Sequence, residues 1–553
     1  MSDGGDDPSP QERRLVVGVA AATLLGAALR VLDLTRFDLW FDEAATWHYA
    51  RLAAAGQLAE QMRLEPTPPL YYALVGWTMR LAGDTDAAMR APSVVFGALA
   101  VAASAWLVYR LFAASGRRFA GLAALWSAVF VAVHPLLVFL GREARVYPLL
   151  ALEALLLAVA VRRALDDDRM HQWALVTLLA TLACYSHFYG MFLAASAGVV
   201  CLLLGAGWRV RLRGFVAAAL AGVLFAPYVW ATLPSLKASG AAWSVEAFYR
   251  SMPEERGLGR VLEGQAIGAK RHGLQRQLAT PPPAPWLRAL ALGLQALLVL
   301  AALAAGRMLA RRGREALVLV LSFWSLPVLV PWAITHWVGR PIFQSGRHDA
   351  FVVPFACIVL AIGLAHLQRL GRTARGAAVL AATVLVAIAA LRLAWLHETE
   401  PQRAPSRLGV ELAATVDAGD EIVALGIRRL LVERYLRRAG SAHPIRSFPA
   451  STDRHPGWAD PHALARDPQA LRREADAYAS ALAGRLEAGE TAQIFLLARD
   501  YGTPDDPAPN FQVDRHLFTA LETRGWRPID EWPELRVLVL VPPGPASEDS
   551  ASP

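Results

Sequence analysis

Long apolar runs separated by short polar segments dominate the first 396 residues of the chain. A helix needs roughly 20 mostly apolar residues to cross the hydrocarbon core of a bilayer. The pattern predicts about eleven transmembrane helices. They are predicted over Leu15–Leu32, Ala91–Phe112, Phe119–Phe139, Val146–Val161, Trp173–Tyr185, Gly190–Leu204, Phe215–Leu233, Trp286–Gly306, Ala316–Val338, Phe351–Leu367 and Ala377–Trp395.

The pattern changes after residue 396, where apolar runs shorten to the length of β-strands. Alternating strand-like and helix-like segments are typical of a small α/β module. We expect strands over Glu421–Leu425, Ile494–Ala498 and Val537–Val541, and helices over Arg428–Arg438 and Leu471–Leu486. The predicted fold is an α-helical polytopic membrane protein with a C-terminal α/β domain.

This organisation divides the chain into three parts. Residues 1–14 are polar and are expected to be disordered. Residues 15–396 form the membrane domain, with long outer loops over 33–90 and 234–285, and residues 397–553 form the soluble domain. The first apolar run is long for a signal peptide and no small-residue cleavage site follows it, so we expect an uncleaved span.

Charge along the loops predicts the orientation. Arginine clusters fall in alternate loops, and such loops remain in the cytoplasm. The N-terminus is therefore predicted to be cytoplasmic, and an odd number of spans places the C-terminal domain outside a bacterial-type inner (plasma) membrane. The clusters are Arg117-Arg118, Arg162-Arg163, Arg209/Arg211/Arg213, Arg307/Arg311/Arg312/Arg314 and Arg369/Arg372/Arg375.

Composition narrows the possible functions. The formal net charge is +8, but residues 397–553 hold 18 arginines against 24 acidic residues, so the excess positive charge lies in the membrane part. Because that excess sets topology, nucleic acid is not expected as a partner. The three cysteines all lie in apolar runs and predict neither disulfides nor a metal site.

Two adjacent carboxylates, Asp42 and Glu43, follow the first predicted span. Ionisable groups at the edge of a membrane are costly and mark candidate sites. Helix capping by these carboxylates is the alternative interpretation. Glu143 lies in the second outer loop between Arg142 and Arg145, where it contributes either to a site or to a structural ion pair.

Other outer-loop residues are candidates for binding an anionic substrate or a metal. For each of them a structural role as an interfacial, snorkelling or core residue is the alternative. His48 is a candidate metal ligand because it lies one turn after the start of the helix that follows Asp42. The candidates for binding a lipid phosphate are Arg145, Tyr147, His187, Tyr189, Lys270, Arg271 and Arg347.

Several short motifs occur together in the expected order and on the same side of the membrane. They are the Asp42-Glu43 pair, the helix that starts at Pro68-Pro69-Leu70-Tyr71-Tyr72, Arg90-Ala91-Pro92-Ser93, and Arg142-Glu143-Ala144-Arg145. With them, residues 10–396 resemble the GT-C membrane glycosyltransferases. The most similar branch contains the protein O-mannosyltransferases and the lipid A aminoarabinose transferase.

The resemblance implies an enzyme that transfers a sugar, with inversion, from a polyprenyl phosphate at the outer face. It implies that Asp42 is the essential acidic residue of the first outer loop, that Glu43 is its neighbour, and that Glu143 is a second acidic residue. Glu65 corresponds to a metal-binding glutamate of the aminoarabinose branch, so a divalent metal ion is a candidate cofactor.

An acceptor hydroxyl must lose its proton as it attacks the anomeric carbon, and a carboxylate within hydrogen-bond reach can accept that proton. We assign this role to Asp42. The acceptor remains open among protein, lipid and polysaccharide. Two other classes also remain open: a transporter or flippase for a lipid-linked sugar, and a membrane-anchored binding module.

Overall fold

The computed structural model of the chain describes residues 9–64, 67–238, 245, 249, 253–267, 284–309, 311–398, 404–425, 428–453, 467–487, 493–497, 509–532 and 537–542. The helices up to residue 398 are α1 (Pro10–Val31), α2 (Phe41–Ala54), α3 (Leu58–Leu64), α4 (Leu70–Ala82), α5 (Asp86–Phe112), α6 (Arg117–Val133), α7 (Pro135–Leu140), α8 (Tyr147–Asp167), α9 (Met170–Ser186), α10 (Gly190–Leu204), α11 (Trp208–Ala238), α12 (Leu258–Ile267), α13 (Pro285–Met308), α14 (Arg311–Trp337), α15 (Val353–Leu367) and α16 (Arg372–Glu398).

The multi-pass architecture predicted from the sequence is confirmed. Each predicted span overlaps a helix, and in the described part of the chain seven helices are long and apolar enough to cross a membrane. The other four predicted spans correspond to α6, α8, α9 and α10. The helix expected to start at Pro68-Pro69 is α4, which buries Tyr71, Tyr72 and Val75.

The third predicted span is wrong in one respect, because it is not continuous. The helix α6 ends at Val133, His134 is extended, and a separate helix α7 begins at Pro135. Proline lacks the amide hydrogen that a continuing helix requires, and its ring clashes with the preceding turn. The last carbonyl groups of α6 therefore need other donors.

A buried arginine from the first span supplies those donors. The Arg30 side chain is 1% exposed. Its guanidinium donates to the carbonyl oxygens of Ala132 (3.3 Å) and Val131 (3.4 Å) at the end of α6. A cation at a helix C-terminus is also favoured by the helix dipole. Arg30 therefore joins the first span to the break in the third.

Replacing Gly141 by alanine is expected to destabilise this junction. A Cβ atom at Gly141 would lie 2.7 Å from Cδ and Nε of Arg30, which the backbone hydrogen bonds hold in place. Overpacking of this kind costs about 1–3 kcal/mol, so the melting temperature in detergent should fall. Gly121→Ala is the matched control, because its Cβ would meet only Leu15 Cδ2 at 3.7 Å. Equal melting temperatures for the two variants would contradict the expectation.

The polar loops gather at two opposite ends of the helix bundle, as the charge pattern predicts. At one end, ion pairs join Glu12 to Arg117 (3.1 Å), Arg162 to Glu315 (3.3 Å) and Asp168 to Arg213 (2.6 Å). These residues belong to the arginine-rich loops and the N-terminal segment. The loops that contain Asp42, Arg145, His187 and Arg347 meet at the other end.

The C-terminal segment folds around a five-stranded sheet with the strand order β2-β1-β3-β5-β4. Strand β1 is parallel to β2 and β3, and β5 is antiparallel to β3 and β4. The elements are α17 (Ala404–Thr415), β1 (Glu421–Leu425), α18 (Arg429–Arg438), β2 (Ile445–Phe448), α19 (Pro468–Glu487), β3 (Ile494–Leu497), α20 (Pro509–Glu522), β4 (Arg527–Trp532) and β5 (Val537–Val541).

Helices cover both faces of this sheet. The side chains of Ile422 and Ala424 pack with α17 and α18, whereas Val423 and Leu425 pack with α19 and α20. The predicted α/β module is therefore confirmed. The sequence did not predict the two edge strands, β2 and β4, because neither contains a continuous apolar run.

Candidate active site

The first turn of α2 carries both carboxylates that follow the first span. Consecutive side chains on a helix point in different directions, about 100° apart. Asp42 and Glu43 therefore face different surroundings, although they are neighbours in sequence. Negative charge in a first helical turn is favoured by the helix dipole, which explains locally why α2 begins here.

The Asp42 carboxylate lies between two arginines from different loops. Its Oδ2 atom is 2.6 Å from Nη2 of Arg347 and 3.2 Å from Nη2 of Arg145. These three side chains are 13–19% exposed, so the cluster is neither sealed in the core nor free in solvent. A second Arg145 nitrogen donates to the Asp42 carbonyl oxygen at 3.2 Å. The geometry is that of an anionic group shared by two cationic ones.

Three aromatic residues complete the cluster. Nε of Arg347 donates to the hydroxyl oxygen of Tyr147 at 2.8 Å. The ring centroid of His187 lies 6.0 Å from that of Tyr147 and 5.4 Å from that of Tyr189. The structure thus brings together the candidates Asp42, Arg145, Arg347, Tyr147, His187 and Tyr189, which the sequence places in four separate loops.

The loop that carries Arg347 is fixed by hydrogen bonds at its beginning. The Tyr189 hydroxyl donates to the carbonyl oxygen of Ile342 at 2.9 Å. The Thr335 hydroxyl oxygen accepts from the amides of Ile342 (3.1 Å) and Phe343 (2.9 Å). Tyr189 therefore holds the beginning of the loop that carries Arg347, and its binding of a lipid phosphate stays a prediction.

Electrostatics at the cluster keep the arginines charged and the histidine neutral. Burial lowers the pKa of Arg145, but the Asp42 carboxylate and the neighbouring Tyr147 and Tyr72 more than offset this, so the pKa is raised. Burial, reinforced by Arg145 and Arg347, lowers the pKa of His187 to about 3. Its Nδ1 accepts a hydrogen bond from the Tyr189 amide at 3.1 Å. His187 is therefore neutral at physiological pH.

Glu43 is enclosed in a separate ion pair. Its side chain is 0% exposed. Arg90 donates to both carboxylate oxygens, at 2.8 Å and 2.7 Å, and the Ala144 amide donates to Oε1 at 2.8 Å. Oε2 also accepts from the Trp40 amide at 3.4 Å, which caps α2. This placement agrees with the capping alternative, and the catalytic role of Glu43 stays a prediction.

Glu143 also lies on the Glu43 side. Its side chain is 4% exposed. It lines a small cavity with Glu43, Arg90 and Arg142. Arg142 is held there by donation to the Asp33 carbonyl oxygen at 3.0 Å. Glu143 therefore lies beside the ion pair between Glu43 and Arg90, and its catalytic role stays a prediction.

Of the two predicted metal ligands, only His48 lies in the described part of the chain. His48 faces α18, where burial, Arg429 and Arg51 lower its pKa to about 4 against the opposing effect of Glu433. No group of three His, Cys, Asp or Glu side chains able to hold a metal occurs in the part of the chain the structure describes. Glu65, the other candidate ligand, and the candidate phosphate ligands Lys270 and Arg271 lie outside the described residues.

Sequence reasoning missed several residues that shape this site. The Ser93 hydroxyl donates to the Arg145 carbonyl oxygen at 2.9 Å and bonds the Tyr71 hydroxyl at 2.6 Å. Arg90 holds Glu43. Both Arg90 and Ser93 belong to the motif Arg90-Ala91-Pro92-Ser93, which the sequence analysis used only as a mark of the family. The available signal was the presence of two hydrophilic residues near the start of the long apolar helix α5.

A largely apolar cavity of about 540 Å³ opens between α6, α13, α14, α15 and α16. Its polar lining includes His134, Gln265 and Gln295. Nε2 of Gln265 donates to Oδ2 of Asp349 at 3.2 Å. Asp349 lies two residues after Arg347, so the polar part of the cavity is connected to the loop that binds Asp42. Cavities of this size accommodate sizeable small-molecule ligands.

Comparison with known proteins supports the GT-C resemblance. Residues 66–231 match the family model described as dolichyl-phosphate-mannose-protein mannosyltransferase. No curated protein matches the sequence. Two structures of ArnT from Cupriavidus metallidurans, one in the apo state and one bound to undecaprenyl phosphate, have the same fold, with TM-scores of 0.54 and 0.52.

The ArnT structures are 14% and 16% identical to the chain; in both comparisons 96% of this chain and 98% of ArnT are covered. An oligosaccharyltransferase from Archaeoglobus fulgidus matches with a TM-score of 0.48 and 15% identity, over 76% of this chain and 63% of its own. The chain is therefore a multi-pass membrane protein with the GT-C fold, which confirms the fold expected from the sequence motifs.

Proposed function

We propose that the protein is a glycosyltransferase that moves a sugar from a polyprenyl phosphate to an acceptor hydroxyl. The observation that carries this proposal is the Asp42 carboxylate within 2.6 Å and 3.2 Å of the guanidinium groups of Arg347 and Arg145. One group in this cluster can accept a proton, and the other two can hold a phosphate. Inverting transfer needs both functions in one site, with the base on the acceptor side of the sugar and the cations on the phosphate side.

In the proposed step, the acceptor oxygen attacks the anomeric carbon and its proton passes to Asp42. The bond between the anomeric carbon and the phosphate oxygen breaks, and the phosphate leaves with the electron pair. The transition state resembles an oxocarbenium ion. Because attack and departure occur on opposite faces of the sugar, the anomeric configuration is inverted. Arg145 and Arg347 stabilise the charge that develops on the leaving phosphate.

Donor binding should also release Asp42 from its ion pairs. A phosphate that enters the cluster competes with Asp42 for the same two arginines. When Arg347 and Arg145 turn to the phosphate, the carboxylate gains a free oxygen for the acceptor hydroxyl. The free protein then holds its base in a neutralised state until the donor is present, and donor binding precedes acceptor activation.

The apolar cavity is the proposed site for the lipid part of the donor. Its polar part is linked through Gln265 and Asp349 to the Arg347 loop, so a polyprenyl chain in the cavity would leave its phosphate near the cluster. ArnT, which has the same fold, has been observed bound to undecaprenyl phosphate. We place the cluster at the outer face of a bacterial plasma membrane, with a cytoplasmic N-terminus, as the arginine-rich loops indicate.

An assay with the purified protein in lipid nanodiscs tests the proposal. Polyprenyl phosphates that carry a radiolabelled sugar are the donors, and hydroxyl-bearing peptides, lipids and polysaccharides are screened as acceptors. The proposal expects label in an acceptor and release of free polyprenyl phosphate. In proteoliposomes, movement of the labelled lipid between leaflets without transfer would instead support a flippase.

Arg347 is expected to govern donor affinity. Charge-assisted hydrogen bonds contribute about 1.5–3 kcal/mol, so Arg347→Met should raise the donor KM by about 10–100-fold. Arg347→Lys keeps the charge but lacks the planar guanidinium, so its donor KM should lie between those of the wild type and Arg347→Met. Arg340→Met is the control, because Arg340 is an exposed residue of the same loop. A donor KM within twofold of wild type in Arg347→Met would contradict phosphate binding by this residue.

A further inference from the structure

One helix of the C-terminal segment is embedded in the first outer loop. The side chain of Leu430, on α18, is 0% exposed and belongs to the apolar cluster formed by Leu39, Trp47, Tyr71 and other residues of that loop. Leu430, which follows Trp47 by 383 positions in the sequence, thus completes the core on which α2 rests. The two segments share buried apolar surface at this point.

The next contact lies at the entrance to α2. The Leu39 amide donates to the hydroxyl oxygen of Tyr435 at 2.7 Å. Leu39 is three residues before Asp42, directly before the residue that caps α2. The amide of Ser406, in α17, donates to Oδ2 of Asp38 at 2.8 Å. The backbone leading to Asp42 is therefore tied to the C-terminal segment at two consecutive residues.

A buried arginine joins the same helix to the other end of the loop. The Arg434 side chain is 0% exposed; one of its terminal nitrogens bonds the Asp84 carboxylate, and the other lies 2.6 Å from Oδ1 of Asp86. Asp84 in turn accepts from Nε1 of Trp47, on α2, at 3.0 Å. The guanidinium carbon lies 5.5 Å from the centre of the Trp47 ring. Arg434 therefore connects α2 to the start of α5.

We infer that α18 holds the base of the reaction in place: Tyr435 and Arg434 are positioning residues that act on Asp42 through the backbone of residues 39–42 and through Trp47. The inference rests on the proposed function only in so far as Asp42 is the base. The physical reason for the inference is that the start of α2 requires support from another segment. Asp42 stands in the first helical turn, where the backbone has few intrahelical hydrogen bonds.

Catalysis is sensitive to such support. A displacement of about 1 Å at a reacting group can cost on the order of 100-fold in rate. The C-terminal segment therefore contributes to turnover by fixing the geometry of the first loop. Loss of the support should lower kcat and leave donor binding by Arg347 and Arg145 largely intact.

The test uses the full-length protein with Tyr435→Phe, which removes one hydroxyl and preserves the ring. Hydrogen exchange at the amides of residues 39–42 is expected to become faster. The kcat for transfer should fall about ten-fold, the free-energy equivalent of one hydrogen bond, and the donor KM should stay within twofold. Arg434→Lys serves as a second variant and should produce the same pattern, because lysine cannot bond both aspartates in a planar fork.

Arg437→Met is the matched control. Arg437 lies on the same helix, is half exposed and pairs with Glu433 of its own helix at 2.9 Å. The Arg437→Met substitution should change neither hydrogen exchange at the amides of residues 39–42 nor the kcat for transfer. Unchanged exchange in Tyr435→Phe, or faster exchange with unchanged kcat, would overturn the inference. If the wild-type protein transfers no sugar, the proposed function fails, and exchange at residues 39–42 alone then decides whether α18 supports the loop.

Discussion

Replacing Asp42 by asparagine is expected to lower the rate of sugar transfer by at least about 100-fold, the contribution that a positioned general base usually makes. Asparagine has nearly the same shape, but its amide cannot accept the proton of an attacking hydroxyl. The backbone contacts of residue 42 do not depend on the carboxylate. The Thr46 hydroxyl and Arg145 donate to its carbonyl oxygen at 2.9 Å and 3.2 Å, so α2 should still form.

The measurement is a single-turnover assay of Asp42→Asn in nanodiscs with saturating donor. Gel filtration and thermal melting check that the variant is folded. Glu60→Gln is the matched control, because Glu60 is an exposed carboxylate of the same outer loop and should be dispensable. A folded Asp42→Asn protein with near-normal transfer would show that the proton goes elsewhere, and the assignment of the base would have to be abandoned.

The second large effect concerns stability. Glu43→Gln or Arg90→Met removes one member of an ion pair whose side chains are 0% and 4% exposed. The remaining charge is then buried without its partner, which costs about 3–5 kcal/mol. We expect a corresponding loss in the free energy of unfolding in detergent. The double variant Glu43→Leu/Arg90→Met should recover much of it, since neither charge remains.

This experiment also separates the two interpretations of Glu43. If Glu43 is an anchor, stability and activity fall together in the single variants and recover together in the double variant. A Glu43→Gln protein that is as stable as wild type but inactive would instead support the catalytic role expected from the sequence. Glu411→Gln is the control, because Glu411 forms an exposed pair with Arg407 at 3.9 Å that should contribute less than about 1 kcal/mol.

The two experiments rest on a single feature of α2. The carboxylates of Asp42 and Glu43, in its first turn, point in different directions and have different neighbours. We therefore expect them to have different roles. Glu43 faces a buried guanidinium and backbone amides, so its charge is used to fix the helix. Asp42 faces two partly exposed arginines, which we propose bind the phosphate of the donor. This difference between the two residues follows from the 100° rotation between consecutive helical positions. It does not require their carboxylates to differ in chemistry.

Much of the fold was accessible from the sequence because it depends on local signals. Apolar runs of membrane length identified the spans. Alternating arginine clusters identified the loops that lie at one end of the bundle, where ion pairs join Glu12 to Arg117 and Arg162 to Glu315. Short apolar runs identified the three inner strands of the C-terminal sheet. The break at His134-Pro135 was missed because the apolar pattern continues across it, although proline itself was the available signal.

The sequence alone indicated which loops hold candidates for chemistry, Asp42, Arg145 and Arg347 among them, because charged groups at membrane ends are costly and stand out. Only the tertiary structure decided which candidates meet. Asp42 and Arg347 are separated by 305 positions, and Leu39 and Tyr435 by 396. No local pattern encodes contacts over such separations. The different ion-pair partners of Asp42 and Glu43 likewise depend on which side chains lie beside each carboxylate after the helices have packed.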